Sequence, residues 1–403
     1  MGETYVVRAN KIVTAGPLGI IEQGALVVED GILLRVIPEG ELSSEERSLP
    51  FADFGELTLT PALADCHCHL LEYAAGSLYP VAEPAHLLAG KALLLNALCS
   101  GVTALGEQIC GHPACDLSVG EYRQAVEGLP LTVRFALCGI TLGTEGAPHY
   151  SALTGSTPVG KSDLLSPKLL GDLVEGNDYP GENVFLNATP ANLPLSLTPQ
   201  AGELVFRREE LLQIVKEYHR QGKRVGVHVG GRQGIQMALD CKVDVLHHAH
   251  GITPAQMRQA ALQGAMVVAT PLGGTHLSPN QPEEILSLLE AGVEVAIATD
   301  AYLPPSEGLG LSPGKLYGTE SLMLLAQPAM VLLREKGWSE NDCLRLLTAA
   351  PAKVMGCENR FGQLLPGMEA TFLAARGIPG LEVTKPEDIR AVYHRGKAVI
   401  QRL

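Results

Sequence analysis

The sequence predicts an α/β chain built as a TIM-like (β/α)8 barrel, with a small composite β-sandwich domain drawn from both termini. Three observations carry that prediction. Eight short apolar runs alternate with stretches of helical periodicity, polar residues of similar chemistry close several of those runs, and strand-like alternation returns at both ends of the chain. At 403 residues the chain suits one barrel of about 250 residues or more plus an accessory domain. Periodicity alone leaves an open doubly wound sheet as the alternative.

The elements follow in order. TYVVRANKIV, GALVVED and GILLRVI, between Tyr5 and Thr60, are short strands punctuated by Gly, Pro and Asp. LTPALAD, VTALG, LTVRFALCG, NVFLN, RVGVH, VDVLH, AMVVAT and VEVAIATD are the eight barrel strands. PAHLLAGKALLLNALCSG and REELLQIVKEYHRQG are two of the helices between them. Thr141–Glu182, rich in Gly, Pro and Ser, reads as long loops over the barrel mouth. Helices are expected over Glu320–Lys336 and Ser339–Met355, after which RFGQLLPGMEATFLAA and IRAVYHRGKAVI return to strands that rejoin the N-terminal ones. The division is therefore 1–58 and 356–403 for the β-sandwich and 59–355 for the barrel.

Composition narrows the function classes. Apolar residues make up 46 % and aromatics only 4 %, so the core must be Leu, Val, Ile and Ala, as in a parallel barrel. A formal charge of −14 without any basic run disfavours nucleic acid and anionic membranes as partners. A small-molecule substrate is expected instead, with a homo-oligomer usual for barrels of this size. Nine scattered cysteines without a CxxC pair indicate a reducing compartment, by default the cytoplasm. The N-terminus carries no apolar stretch of signal-peptide length, and the Ala92–Leu98 run is too short to span a bilayer.

The sharpest local feature is DCHCHL, in which His67 and His69 sit at i and i+2 where an apolar strand ends. Alternation puts both imidazoles on one face, where they can seat a divalent metal if other strands supply more ligands. Other strands do: RVGVH ends in His228, VDVLHH in His247 and His248, and VEVAIATD in Asp300. Barrel enzymes assemble their sites at the C-terminal ends of strands. Cys66 and Cys68 alternate with the paired histidines and are expected to pack away from them. Cys110, Cys115 and Cys138 keep a thiol ligand open as an alternative. Glu107 ends the second strand, where it either positions substrate or forms an ion pair. His86, His219 and His394 read as solvated surface groups, and His112, His149 and His276 as loop residues within reach of substrate or solvent. Gly230–Gly231 reads as a tight strand-to-helix turn, without a dinucleotide fingerprint.

Nearly the whole chain resembles the amidohydrolase superfamily. GALVVEDGILLRVIPEG is similar to that family's N-terminal β-segment, LTPALADCHCHL to its first barrel strand and SGVTALGE to its second helix–strand junction. KRVGVHVGG and VDVLHHAHG resemble the fifth and sixth strands of the imidazolonepropionase-like and prolidase-like branch. IATDAYLP resembles the eighth, and LLTAAPAKVMGCENRFGQLLPGMEATFL the return to the β-domain. The resemblance implies His67, His69, His228 and Asp300 as ligands of a first metal, with His248 as a ligand of a second metal, held together with Glu107 or a cysteine, or as a substrate contact, and His250 as its fallback. His248 is favoured because the family it resembles places its histidine immediately before a small residue, here Ala249. It further implies that Asp300 moves the proton of a metal-activated water and that His248 polarises the carbonyl.

Two departures from the family pattern bear on this. Asn187 stands where binuclear members carry a bridging lysine, and no lysine occurs between Lys168 and Lys216, which favours one metal: zinc first, with iron or manganese as alternatives. EATFLA lacks the family's usual Asp after the Ala, a change confined to the accessory domain. The expected reaction is hydrolysis of a C–N bond in a small amide, cyclic amide or amidine-like substrate. Deamination of a heterocycle is the rival, weakened because VGGRQG rather than a glutamate follows His228. A catalytically silent binding barrel is the third reading.

Overall fold

The computed structural model describes residues 4–71, 83–109, 117, 119–140, 150–151, 183–189, 203–220, 222–301 and 317–402. The first strands lie where alternation put them: β1 (Thr4–Val13), β2 (Ile20–Glu29) and β3 (Ile32–Pro38), an antiparallel meander. A single turn, α1 (Ser44–Arg47), follows with a Ser43/Glu46 capping box, and β4 (Phe51–Asp53) returns parallel to β1.

The LTPALAD run divides between two sheets. β5 (Thr58–Pro61) pairs with β1, and β6 (Leu63–Cys68) opens the barrel. Pro61 has no amide hydrogen, so it suits the point at which the chain leaves one ladder for the other.

Parallel pairing then runs without a gap through β6, β7 (Val102–Ile109), β8 (Thr132–Ile140), β10 (Asn183–Asn187), β11 (Arg224–Gly230), β12 (Val245–His250), β13 (Met266–Ala269) and β14 (Val295–Ile297). The short β9 (Tyr150–Ser151) pairs with β8, and the rest of the expected mouth loops over Thr141–Glu182 lie outside the described residues. The ring closes just beyond β14, where the Asp300 amide donates to the His67 carbonyl at 3.0 Å and the His69 amide to the Ala301 carbonyl at 2.9 Å. The Asp65 carboxylate reinforces the seam by accepting from the Thr299 hydroxyl at 2.5 Å. The fold is therefore the (β/α)8 barrel rather than the open sheet.

Helices α2 (Glu83–Cys99), α3 (Val119–Val126), α4 (Arg208–Arg220), α5 (Arg232–Asp240), α6 (Pro254–Gln263), α7 (Pro282–Glu290) and α8 (Leu322–Glu335) follow the strands. The helix expected over Ser339–Met355 is two, α9 (Glu340–Arg345) and α10 (Ala349–Val354). Between them the Leu347 carbonyl accepts the Ala64 amide at 2.9 Å and the Leu346 carbonyl the Ile297 amide at 3.0 Å, so the break serves the barrel seam. α10 packs Ala350, Ala352 and Val354 against Ala64, Ala104, Val245 and Ala296 near the strand starts. Alanines and valines fill that end because the opposite end must stay open for chemistry.

At the C-terminus only Phe372–Ala375 of the long predicted run is strand (β15), followed by the hairpin β16 (Ile389–His394) and β17 (Lys397–Gln401). β15 pairs with β5, so strands from both chain ends share one sheet, with Phe372 stacked on Tyr393 at 4.4 Å. Among the described residues no helix is long and apolar enough to cross a membrane.

His394 is half-buried rather than a freely solvated group, and its ring nitrogen lies 3.3 Å from the Thr132 hydroxyl. Burial, with repulsion from Arg395, pushes its pKa down to about 4 from 6.5. Between those two values the unfolded chain binds a proton that the folded chain refuses, so stability falls as pH drops from about 6.5 to about 4. Urea midpoints at pH 7 and pH 5 should differ less in His394→Gln than in the parent. Equal losses in both proteins would show that another group is responsible.

Candidate metal centre

All five residues proposed from the strand ends converge at the C-terminal mouth of the barrel. Asp300 is the hub: its Oδ1 lies 3.2 Å from His67 Nε2 and 3.3 Å from His69 Nε2, and its Oδ2 lies 3.8 Å from His248 Nδ1. Donor atoms of His67, His248 and Asp300 all fall within 4.8 Å of one another. The His228 ring stacks edge-on to His248 with centroids 4.6 Å apart. His69 keeps 17 % of its side chain exposed against 1 % for His67, which marks it as the member facing the mouth.

Electrostatics sort these groups into ionised and neutral forms. Burial works against ionisation of Asp300, but attraction and hydrogen bonding from His67 and His69, with His248 behind them, outweigh it and hold the carboxyl well below its usual range. Burial pushes His67 down, and pushes His247 and His248 well down, which favours the neutral form of these imidazoles. Neutral imidazole nitrogens around one carboxylate form the N/O donor set that a divalent transition metal takes. The surrounding backbone fits an ion as well. A Cβ on Gly274, whose φ is +119°, would lie 2.1 Å from His248 Nδ1 and 2.8 Å from Asp300 Oδ2, so only glycine leaves the gap between those two groups clear.

Local backbone geometry explains how neighbouring histidines share one site. His248 and Ala249 have φ of 69° and 49°, and Asp300 has 49°. Left-handed residues break strand alternation. His247 therefore reaches the site beside His248, its Nδ1 2.7 Å from His67 Nδ1. One of those two nitrogens must carry the proton, which fixes the tautomers of both rings relative to each other. His250, the fallback ligand, turns to the β13–α7 loop instead: its Nδ1 is 2.7 Å from the Thr275 hydroxyl and its Nε2 3.3 Å from that of Thr270. Thr270 Oγ1 also stands 2.9 Å from His248 Nδ1.

Several expectations need correction. Cys66 and Cys68 are both buried packing residues, but not on one face: Cys66 joins the inner cluster with Ala64, and Cys68 the outer one with Leu70. The pairing register shifts between Asp65 and Cys68, and that irregularity separates them. Glu107 accepts from the amides of Leu70 and Leu71 at 2.9 and 2.7 Å and so caps the end of the histidine strand. His86 is buried, not solvated, with Nε2 on the Leu71 carbonyl at 2.5 Å. His219 pairs with Asp244 at 2.8 Å, and His276 is exposed.

Gly231, at φ 79°, makes the expected strand-to-helix turn. Asn187 lies in register with His228, and its side chain is outside the described residues, as are His112, His149, Cys110, Cys115 and the Cys138 side chain. Asp65, Thr270, Gly274 and Asn280 were not singled out from the sequence. Only Asp65, in the DCHCHL motif, carried any local signal.

Comparison with known proteins agrees with this geometry. The Amidohydrolase family profile matches residues 58–399. An imidazolonepropionase of Brucella suis biovar 1 (strain 1330) is 44 % identical over 381 residues, covering 88 % of this chain and 87 % of the relative. Another, from Cupriavidus pinatubonensis (strain JMP 134 / LMG 1197), is 25 % identical over 419 residues, covering 96 % and 89 %. Among solved structures, a Xaa-Pro dipeptidase with bound methionine in its active site superposes with a TM-score of 0.73 at 18 % identity, over 98 % of this chain and 99 % of that one. An adenosine deaminase from Xanthomonas campestris with bound zinc gives 0.66 at 15 % identity, over 98 % and 93 %. At such identities the structural likeness speaks for the fold alone.

Proposed function

The chain belongs to the amidohydrolase family of C–N hydrolases, and we propose that it opens a small cyclic amide or related amide or amidine, using water activated at one divalent metal. The observation that carries this reading is the division of the Asp300 carboxylate, one oxygen beside His67 and His69 and the other toward His248. His67, His69, His228 and Asp300 would hold the ion, with His248, whose donor atom clusters with those of His67 and Asp300, within reach of it. The relatives named imidazolonepropionase make cyclic imidazolone-type amides the first substrate class to test.

When bound, the ion supplies Lewis acidity and brings the pKa of its water down to about 7. The chain's own groups do the rest. Asp300 is ionised and can take the proton of the attacking water, then return it to the leaving nitrogen. His248, buried and favoured in its neutral form, can offer a ring N–H or lone pair to the substrate carbonyl. The histidine–carboxylate donor set suits zinc, with iron and manganese compatible, and Asn187 in place of a bridging lysine supports a single ion.

Metal analysis tests the premise. Purified protein should hold about one equivalent of transition metal, and chelation should abolish turnover reversibly while the helical signal persists. Less than about half an equivalent, with chelator-insensitive turnover, would sink the proposal. Imidazolones, lactams, hydantoins, acylated amino acids and aminated heterocycles should then be scored for ring opening against ammonia release. Ammonia release from an aminated heterocycle without ring opening would replace this reading with deamination.

A further inference from the structure

Asn280 lies in the loop between β13 and α7 and is 1 % exposed. Its carboxamide meets three partners of fixed polarity. Oδ1 accepts from the Thr270 amide at 2.8 Å, while Nδ2 donates to the His248 carbonyl at 2.9 Å and to Glu284 Oε1 at 3.2 Å. A neutral amide supplies that combination of one acceptor and two donors, whereas an ionised carboxylate of the same shape supplies only acceptors.

The carbonyl it grips belongs to a strained stretch of backbone. His248 and Ala249 are consecutive non-glycine residues in the left-handed region, a conformation that persists only when the surroundings over-determine it. Thr270, whose amide the same side chain holds, sets its hydroxyl 2.9 Å from His248 Nδ1. One carboxamide thus restrains His248 twice, directly at the main chain and through Thr270 at the ring.

We propose that Asn280 is a positioning residue, which locks the left-handed end of β12 and so aims the His248 imidazole at Asp300. The proposal rests on the role given to His248 above. It separates Asn280 from a residue that merely fills space, because a substitution that keeps its volume while reversing its polarity should misplace His248.

Asn280→Asp makes that substitution. It keeps the acceptor for Thr270 but turns an oxygen toward the His248 carbonyl and the Glu284 carboxyl. The expected result is a kcat lower by about 10- to 100-fold with KM within about threefold, and a Co(II) affinity about tenfold weaker by chelator competition. If the variant does not fold, Asn280→Ala combined with Ala249→Gly carries the same measurements, since glycine relieves the left-handed position. A lowered Tm with kcat and Co(II) affinity within about twofold of the parent would reduce Asn280 to packing and overturn the proposal. Asp300→Asn in the same assay separates the two levels. If it stays active, the reading of the site fails; if it is dead while Asn280→Asp is normal, only the positioning role falls.

Discussion

Asp300→Asn should lower kcat/KM by about 10³-fold or more while the metal-free protein keeps its fold at a somewhat lower Tm than its parent. The loss of activity follows from removing both the proton acceptor and the negative charge that faces His67, His69 and His248. Preservation of the fold follows from the geometry of the position. Asn is nearly isosteric with Asp and, like it, tolerates the left-handed φ of 49° found there. The buried Asp300 carboxylate gains more from His67, His69 and His248 than burial costs it, so its removal lowers the stability of the metal-free protein without opening a cavity. Thermal unfolding after chelation, together with steady-state kinetics after metal loading, checks both halves. Near-normal turnover would dismiss Asp300 from the chemistry, and a collapsed metal-free variant would show that the carboxylate is structural.

Gly274→Ala should be nearly as damaging, although glycine itself takes no part in proton transfer. The added Cβ would lie 2.1 Å from His248 Nδ1 and 2.8 Å from Asp300 Oδ2, and the backbone φ of +119° is one that L side chains rarely adopt. Either the loop withdraws or His248 is driven off Asp300. A displacement of about 1 Å can cost about 10²-fold in rate, so kcat/KM should fall by at least about that factor, with metal affinity weakened as well. Gly251→Ala, at another positive φ but with nothing within 4 Å of its Cβ, serves as the control for backbone strain alone. Equal activity loss in the two variants would attribute the effect to strain rather than to crowding of the site.

Both variants bear on how the site could be read from sequence. The histidine pair and the strand-end residues His228, His248 and Asp300 were legible because each closes an apolar run, and run length and polarity are local properties. Gly274 and Asn280 were not, because TPLGGTHLSPN reads as any surface loop. Its role depends on folding back over β12, which no short-range pattern encodes. Glu107 shows the same limit in another form. Its position at a strand end suggested a substrate contact or an ion pair, whereas the folded chain sets it against the two backbone amides that follow β6.

The sequence by itself determined the (β/α)8 order, the joining of both termini in one sheet and the residues that converge at the mouth. Those follow from periodicity of 2 and 3.6 and from where the polar residues fall. Tertiary structure decided the orientations. Strict alternation would have put His247 and His248 on opposite faces and Cys66 and Cys68 on the same one. The left-handed backbone at His248 and Ala249 and the register shift after Asp65 reverse both. Such departures are stabilised by contacts remote in the chain, the Asn280 amide on one strand and the Asp65–Thr299 clasp at the other. Only closing the barrel brings those partners together.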